Sequence, residues 1–213
     1  MGKKVNMGVY KALKVGKFIK FGIAFCFINL LTFNCCAQVA VPQWAFIHKG
    51  LLSATGTFAI GAMPENNITN AYLTGNIEYY TDDKISIRGD GYFFLNSLTQ
   101  NSILKKNEAE YFGAFYHFHT SSNFDPLIGI QPGLSYTQML TADSTLDKAT
   151  LCPLASVVLG FNFFGEKYFH IQVNVRYTIG EHLTEQDGNN ISELSFNFGL
   201  GWNFDLIKKS NKR

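Results

Sequence analysis

The chain has 213 residues, of which 46% are hydrophobic, 15% aromatic and 16% charged; this length suits one domain with a sizeable core. So little charge excludes a disordered chain, a coiled coil and an acidic or basic tail protein. The formal charge of +2 misleads, because six lysines and no acid stand in the first 37 residues; without them twelve bases face sixteen acids, a net of −4. A nucleic-acid partner therefore loses its electrostatic basis.

The six lysines, Lys3, Lys4, Lys11, Lys14, Lys17 and Lys20, precede an apolar run from Phe21 to Phe33 interrupted at Asn29. Cys35-Cys36-Ala37-Gln38 follows, with small residues at −3 and −1 of a cut after Ala37. Basic, apolar, small is the order of a secretory signal peptide, so residues 1–37 are expected to be removed. An uncleaved helix fits less well, since the run reaches only ~20 Å against a hydrocarbon core of ~30 Å. A lipid-anchored cysteine is also disfavoured, because Thr32-Phe33-Asn34 matches a lipobox poorly. Removing the leader leaves Cys152 alone, so the mature chain is expected to have no internal disulfide, in spite of an oxidising destination.

Residues 38–50 read as a periplasmic lead-in. Beyond them no apolar stripe keeps helical spacing for three turns, and the pattern alternates instead. Eight segments follow, at 51–62, 71–81, 84–97, 109–119, 127–138, 154–163, 168–178 and 194–204. The seventh sets Phe169, Ile171, Val173, Val175 and Tyr177 against His170, Gln172, Asn174, Arg176 and Thr178. Period two gives each segment one oily face and one polar or small face. Most segments are about twice the usual soluble strand length, as a tilted strand crossing a bilayer requires.

The connections are expected to alternate as well. Asp82-Asp83, 120–126 and 164–167 are short, whereas 63–70, 98–108, 139–153 and 180–192 are longer or more polar. Short turns at one end and long loops at the other describe an up-and-down barrel in an outer membrane, with both chain ends on the periplasmic side. A soluble lipocalin-like barrel would turn the oily rows inward. Aromatics at the ends of the oily rows, and Gly, Ser, Thr, Asn and Gln instead of Lys and Glu opposite them, favour oily-side-out. Val173 should then face hydrocarbon, and Gln172 and Asn174 the lumen.

At this point the chain resembles the small eight-stranded outer-membrane proteins of Gram-negative bacteria, the OmpA/OmpX-like β-barrel domains. The last strand carries the resemblance, Ser195-Phe196-Asn197-Phe198-Gly199-Leu200-Gly201-Trp202-Asn203-Phe204. Its alternation with a late aromatic looks like the signal read by the barrel-assembly machinery. One departure is the tail, residues 205–213, which continues past the aromatic on which the family usually ends. The resemblance implies an all-β, eight-stranded antiparallel transmembrane barrel over 51–204. It also implies outer-membrane lipid, lipopolysaccharide and the assembly machinery as partners, no nucleic acid, and a monomer.

No catalytic, cofactor or metal site emerges from the residues. His117 and His119 share a strand face, but no cysteine or carboxylate joins them by sequence. His119-Thr120-Ser121 superficially resembles the His/Ser pair of an outer-membrane lipid A deacylase, yet falls at the periplasmic end, away from that lipid. Gly199-Leu200-Gly201 lacks the helix of a phosphate loop. Glu78, Arg88, Asp90 and Arg176, by contrast, all occupy the less apolar rows. Arginine facing lipid costs roughly 2–4 kcal/mol at the midplane, so these four should form a polar network in the lumen. Equal numbers of acids and bases favour a plug over a single-sign channel ring. A non-enzymatic barrel with a structural or surface-interaction role is the leading expectation. A narrow OmpW-like channel for small or hydrophobic solutes is the alternative, ahead of a lipid-modifying enzyme or a soluble binder.

Overall fold

Alternation that begins at Leu51 makes strand after strand, because each segment can bury its polar row only by closing on the others. The computed structural model describes residues 46–207 apart from 101, 119, 121, 141–144 and 184–188. The strands are β1 (Leu51–Met63), β2 (Ile68–Tyr80), β3 (Ile85–Ser97), β4 (Leu104–His117), β5 (Phe124–Met139), β6 (Thr150–Glu166), β7 (Phe169–His182), β8 (Asn189–Asn190) and β9 (Glu193–Asp205). Consecutive long strands pair antiparallel from β1 to β7. β9 pairs with both β7 and β1, running against β1 from Leu51↔Asp205 to Ala62↔Leu194, and this closes the sheet. β8 is a two-residue ladder on the end of β7. The result is a closed eight-stranded antiparallel barrel, which has no free edge. No helix occurs among the described residues.

The faces fall as expected. Polar residues turn inward: Gln172 and Asn174 are buried while Val173 points out, and Phe58 and Ile130 stand on the outer wall with 68% and 67% of their surfaces exposed. A lipocalin-like arrangement is thereby excluded. Aromatic side chains crowd the wall near the rim where β1 begins and β9 ends (the chain-end rim), among them Tyr116, Phe124, Tyr168, Trp202 and Phe204. A 13-residue strand such as β1, at ~3.3 Å per residue and a tilt of ~40°, rises ~33 Å, enough for a ~30 Å hydrocarbon core.

Several ends differ from the sequence reading. β2 begins at Ile68, β4 at Leu104 and β6 at Thr150, earlier than 71, 109 and 154, and β6 and β7 run on to Glu166 and His182. The connections 63–70 and 98–108 therefore shrink to 64–67 and 98–103, and the expected contrast in length survives only at 140–149 and 183–192. The reason is that Asn70, Asn107 and Cys152 resemble loop residues in isolation, yet each is a buried inward position of a strand.

The chain-end rim is closed by the residues before β1. Phe46 stacks on Phe164 with ring centres 5.3 Å apart, and Ile47, Leu51 and Tyr80 complete the cluster. Gly50 turns the chain into β1 at φ 86°, a left-handed conformation that glycine adopts without penalty. Its N–H donates to Tyr80 O at 2.9 Å, and its carbonyl accepts from Leu206 N at 3.1 Å. Asp205 ties this rim together, 2.7 Å from His48 Nε2 and 2.8 Å from Lys167 Nζ. Residues 46–50 of the lead-in are thus part of the barrel's closure. The expected leader and its cut at Ala37 lie outside the described residues.

Candidate functional site

The inward rows of β1 to β9 fill the lumen with polar side chains arranged in three tiers. Nearest the chain-end rim, Glu78 of β2 and Asp125 of β5 flank His117 of β4. Glu78 Oε1 lies 3.2 Å from His117 Nε2, and Asp125 Oδ2 lies 2.9 Å from Nδ1. With a proton on each nitrogen, the ring donates to one oxygen of each carboxylate. Ser86 donates to Glu78 as well. From Asp125 the chain of hydrogen bonds continues around the wall through Asn162 at 3.1 Å to Gln172 at 3.1 Å. Asn76 Nδ2 then donates to Gln172 Oε1 at 2.7 Å, which crosses the lumen from β2 to β7.

The middle tier holds one carboxylate between two guanidinium groups. Arg88 Nε donates to Asp90 Oδ2 at 3.0 Å, and Arg176 Nη2 lies 3.2 Å from Asp90 Oδ1. Gln131 donates to the same carboxylate at 2.6 Å. The surplus positive charge meets aromatic faces: Arg88 stands 4.0 Å over the Phe115 ring and Arg176 stands 4.2 Å over Tyr111. Arg176 also donates to Ser156 Oγ at 2.8 Å and to the Tyr92 hydroxyl at 3.1 Å. β7 and β3 are thereby bridged across the interior.

Above these lie Tyr72, Tyr92 and Tyr111, packed edge to face with centroids 5.7 and 5.5 Å apart. Glu193 of β9 accepts from the Tyr72 hydroxyl at 2.7 Å and from Asn70 at 2.9 Å. Gly61, which pairs with Ser195 two residues along β9, has no side chain, and a Cβ there would collide with the Glu193 carboxyl group.

All four residues named from the sequence are buried in the lumen. Arg88, Asp90 and Arg176 form one cluster. Glu78, although Arg88's cross-strand neighbour, pairs with His117 instead. Sequence reasoning missed the carboxylate partners of His117, and did not single out Asp125, Gln131 and Glu193. Glu193 and Gln131 are in phase with the inward rows of their strands, so the period could have found them. Asp125 falls in the short connection expected at 120–126, but the structure makes it the second residue of β5. His119 and Ser121 lie outside the described residues, and so does any pairing that involves them.

Cys152 is buried at the loop end of β6, with Sγ 3.7 Å from His182 Nδ1, while His182 Nε2 lies 3.5 Å from Asp147 Oδ2. The order thiol, imidazole, carboxylate is that of a nucleophile and its base. Neither Cys152 nor His182 has exposed surface, however, and a reactive thiol needs a route to its substrate. The apolar cluster containing Met63, Met139 and Leu154 encloses the thiol.

No family model and no curated protein matches the chain. Solved structures do. The N-terminal β-barrel domain of Pseudomonas aeruginosa OprF superposes with a TM-score of 0.56 at 13% identity, over 73% of this chain and 98% of that one. The outer membrane protein OprG of the same organism gives 0.56 at 14% identity, over 75% and 98%. Neisserial surface protein A gives 0.54 at 13% identity, over 73% and 96%. The fold is that of the small eight-stranded outer-membrane barrels.

Proposed function

We propose that this chain is an exported, non-enzymatic outer-membrane barrel with a structural or surface-interaction role and a lumen closed to solutes. The observation that carries it is the Asp90–Arg176 contact from β3 to β7, capped by Tyr92 packed edge to face on both Tyr72 and Tyr111. Charged groups paired across the axis leave no single-sign path for an ion. Breaking a buried pair typically costs about 3–5 kcal/mol, so such a plug opens rarely. The apolar outer wall supports an outer-membrane location with lipid and lipopolysaccharide as surroundings, assembly by the barrel-assembly machinery, and a monomer as the functional unit.

Planar-bilayer recordings test the plug directly: the refolded barrel should give no steady conductance, and reproducible ohmic steps would favour the narrow-channel alternative. Export has its own test. Mass spectrometry of the protein from outer-membrane fractions should find Gln38 as the first residue; retained Met1, or a diacylglyceryl group on Cys36, would contradict it.

A further inference from the structure

Three outward-pointing glycines stand side by side on the lipid-facing wall: Gly56 of β1 opposes Gly75 of β2, and Gly75 opposes Gly91 of β3. Next in that row, opposite Gly91, is Glu110 of β4. Two residues closer to the chain-end rim runs a second row of Phe112, Gly89, Ile77, Ala54 and Trp202. The missing side chains dent the wall between the larger neighbours and leave a groove of about 820 Å³. From Glu110 to Leu200, which opposes Gly56 on its other side, the row spans four strand spacings, about 19 Å at ~4.8 Å each.

The groove is apolar except at one end. Nothing lies within 4 Å of the place a Cβ on Gly56 would take, whereas a Cβ on Gly91 would stand 3.2 Å from Glu110 Oε1. The carboxyl group therefore leans over the glycine strip. Glu110 is exposed, midway along β4, and has no hydrogen-bond or ion-pair partner among the described residues; Glu108, by contrast, pairs with Lys106 at 3.3 Å. Half of a ~30 Å hydrocarbon core separates a midplane position from water, farther than a glutamate side chain reaches. A lone carboxylate there is costly unless a counter-charge comes to it.

The geometry points to a binding site for a membrane-dissolved amphiphile, a single long apolar chain lying along the glycine strip with a primary ammonium group paired to Glu110, an inference that rests on the outer wall lying in lipid. Concave, mostly apolar sites of roughly 300–1,000 Å³ with one placed polar group are the usual form of small-molecule sites. Among the described residues that line it, the charge this groove presents is negative, so the complementary head is cationic. A stretched chain also matches a shallow slot that is long and one side chain deep.

Trp202 borders the groove and reports on it. Trp44→Phe leaves Trp202 as the sole tryptophan of the two in the chain, and the variant is folded into phosphatidylcholine vesicles. Brominated phosphatidylcholine should quench Trp202; absence of quenching would overturn the membrane reading itself. Dibrominated octadecylamine is then compared with dibrominated methyl stearate. The amine should reach half-quenching at about tenfold lower mole fraction. That preference should vanish in Glu110→Gln and in Gly56→Leu, whose side chain enters open space, and persist in Glu108→Gln. Heat-modifiable migration verifies that each variant is folded. Equal quenching by amine and ester, or a preference that survives Glu110→Gln, overturns the site. Dibrominated octadecanol matching the amine overturns a cationic occupant.

Discussion

Asp90 and Glu110 are acids on neighbouring strands, and the parity of their positions gives them opposite fates. Asp90 faces inward between Arg88 and Arg176, so Asp90→Ala leaves two buried guanidinium groups without their carboxylate. The expected loss is about 3–5 kcal/mol, measured by reversible urea titration in lipid vesicles. Glu110 faces outward without a partner, and Glu110→Leu should instead stabilise the barrel by about 1 kcal/mol in vesicles free of amphiphile, because a lipid-facing carboxylate is a cost. Equal signs for the two substitutions would mean that the faces of β3 and β4 are misassigned. At this scale the sequence was half legible. Charge on a polar row was enough to pick out Glu78, Arg88, Asp90 and Arg176. It could not show that Glu78 pairs with His117, because that contact joins residues 39 positions apart and depends on how the strands close.

Among the elements, direction of facing was readable and extent was not. β7 and β9 reveal themselves because a bulky residue stands at every second position. β4 hides its first residues because Lys105 and Lys106 interrupt the pattern, and a register shift between Leu104 and Lys106 breaks the period. β6 hides its start behind Pro153, which opposes Leu134 on an outward position. The topology separates two rims, and the labelling experiment assigns them to the two sides of the membrane. Asp83 lies in the turn between β2 and β3, on the rim where β1 begins and β9 ends, where its carboxyl accepts from Lys49 N at 3.1 Å. Asn189 lies at the other rim, paired with His182. In a Cys152→Ser background, a cysteine at Asn189 should react with an impermeant maleimide on intact cells, and one at Asp83 should not. Equal labelling at both sites would contradict the orientation.

For the whole molecule, the defining property is inversion: polar side chains hydrogen-bond to one another inside, and Phe, Ile, Leu and Val form the outside. Water would penalise that outer surface heavily, at roughly 25 cal/mol for each Å² exposed, whereas hydrocarbon does not. Val175 probes this most directly. It is an outward residue 40% exposed, with Leu159 and Phe196 as cross-strand neighbours, near the middle of β7. Reversible urea titration of Val175→Arg in lipid vesicles should show a loss of about 2–4 kcal/mol, the cost of arginine at the midplane. A change within about ±0.5 kcal/mol, as for an ordinary water-exposed substitution, would contradict a barrel whose outer wall lies in the membrane.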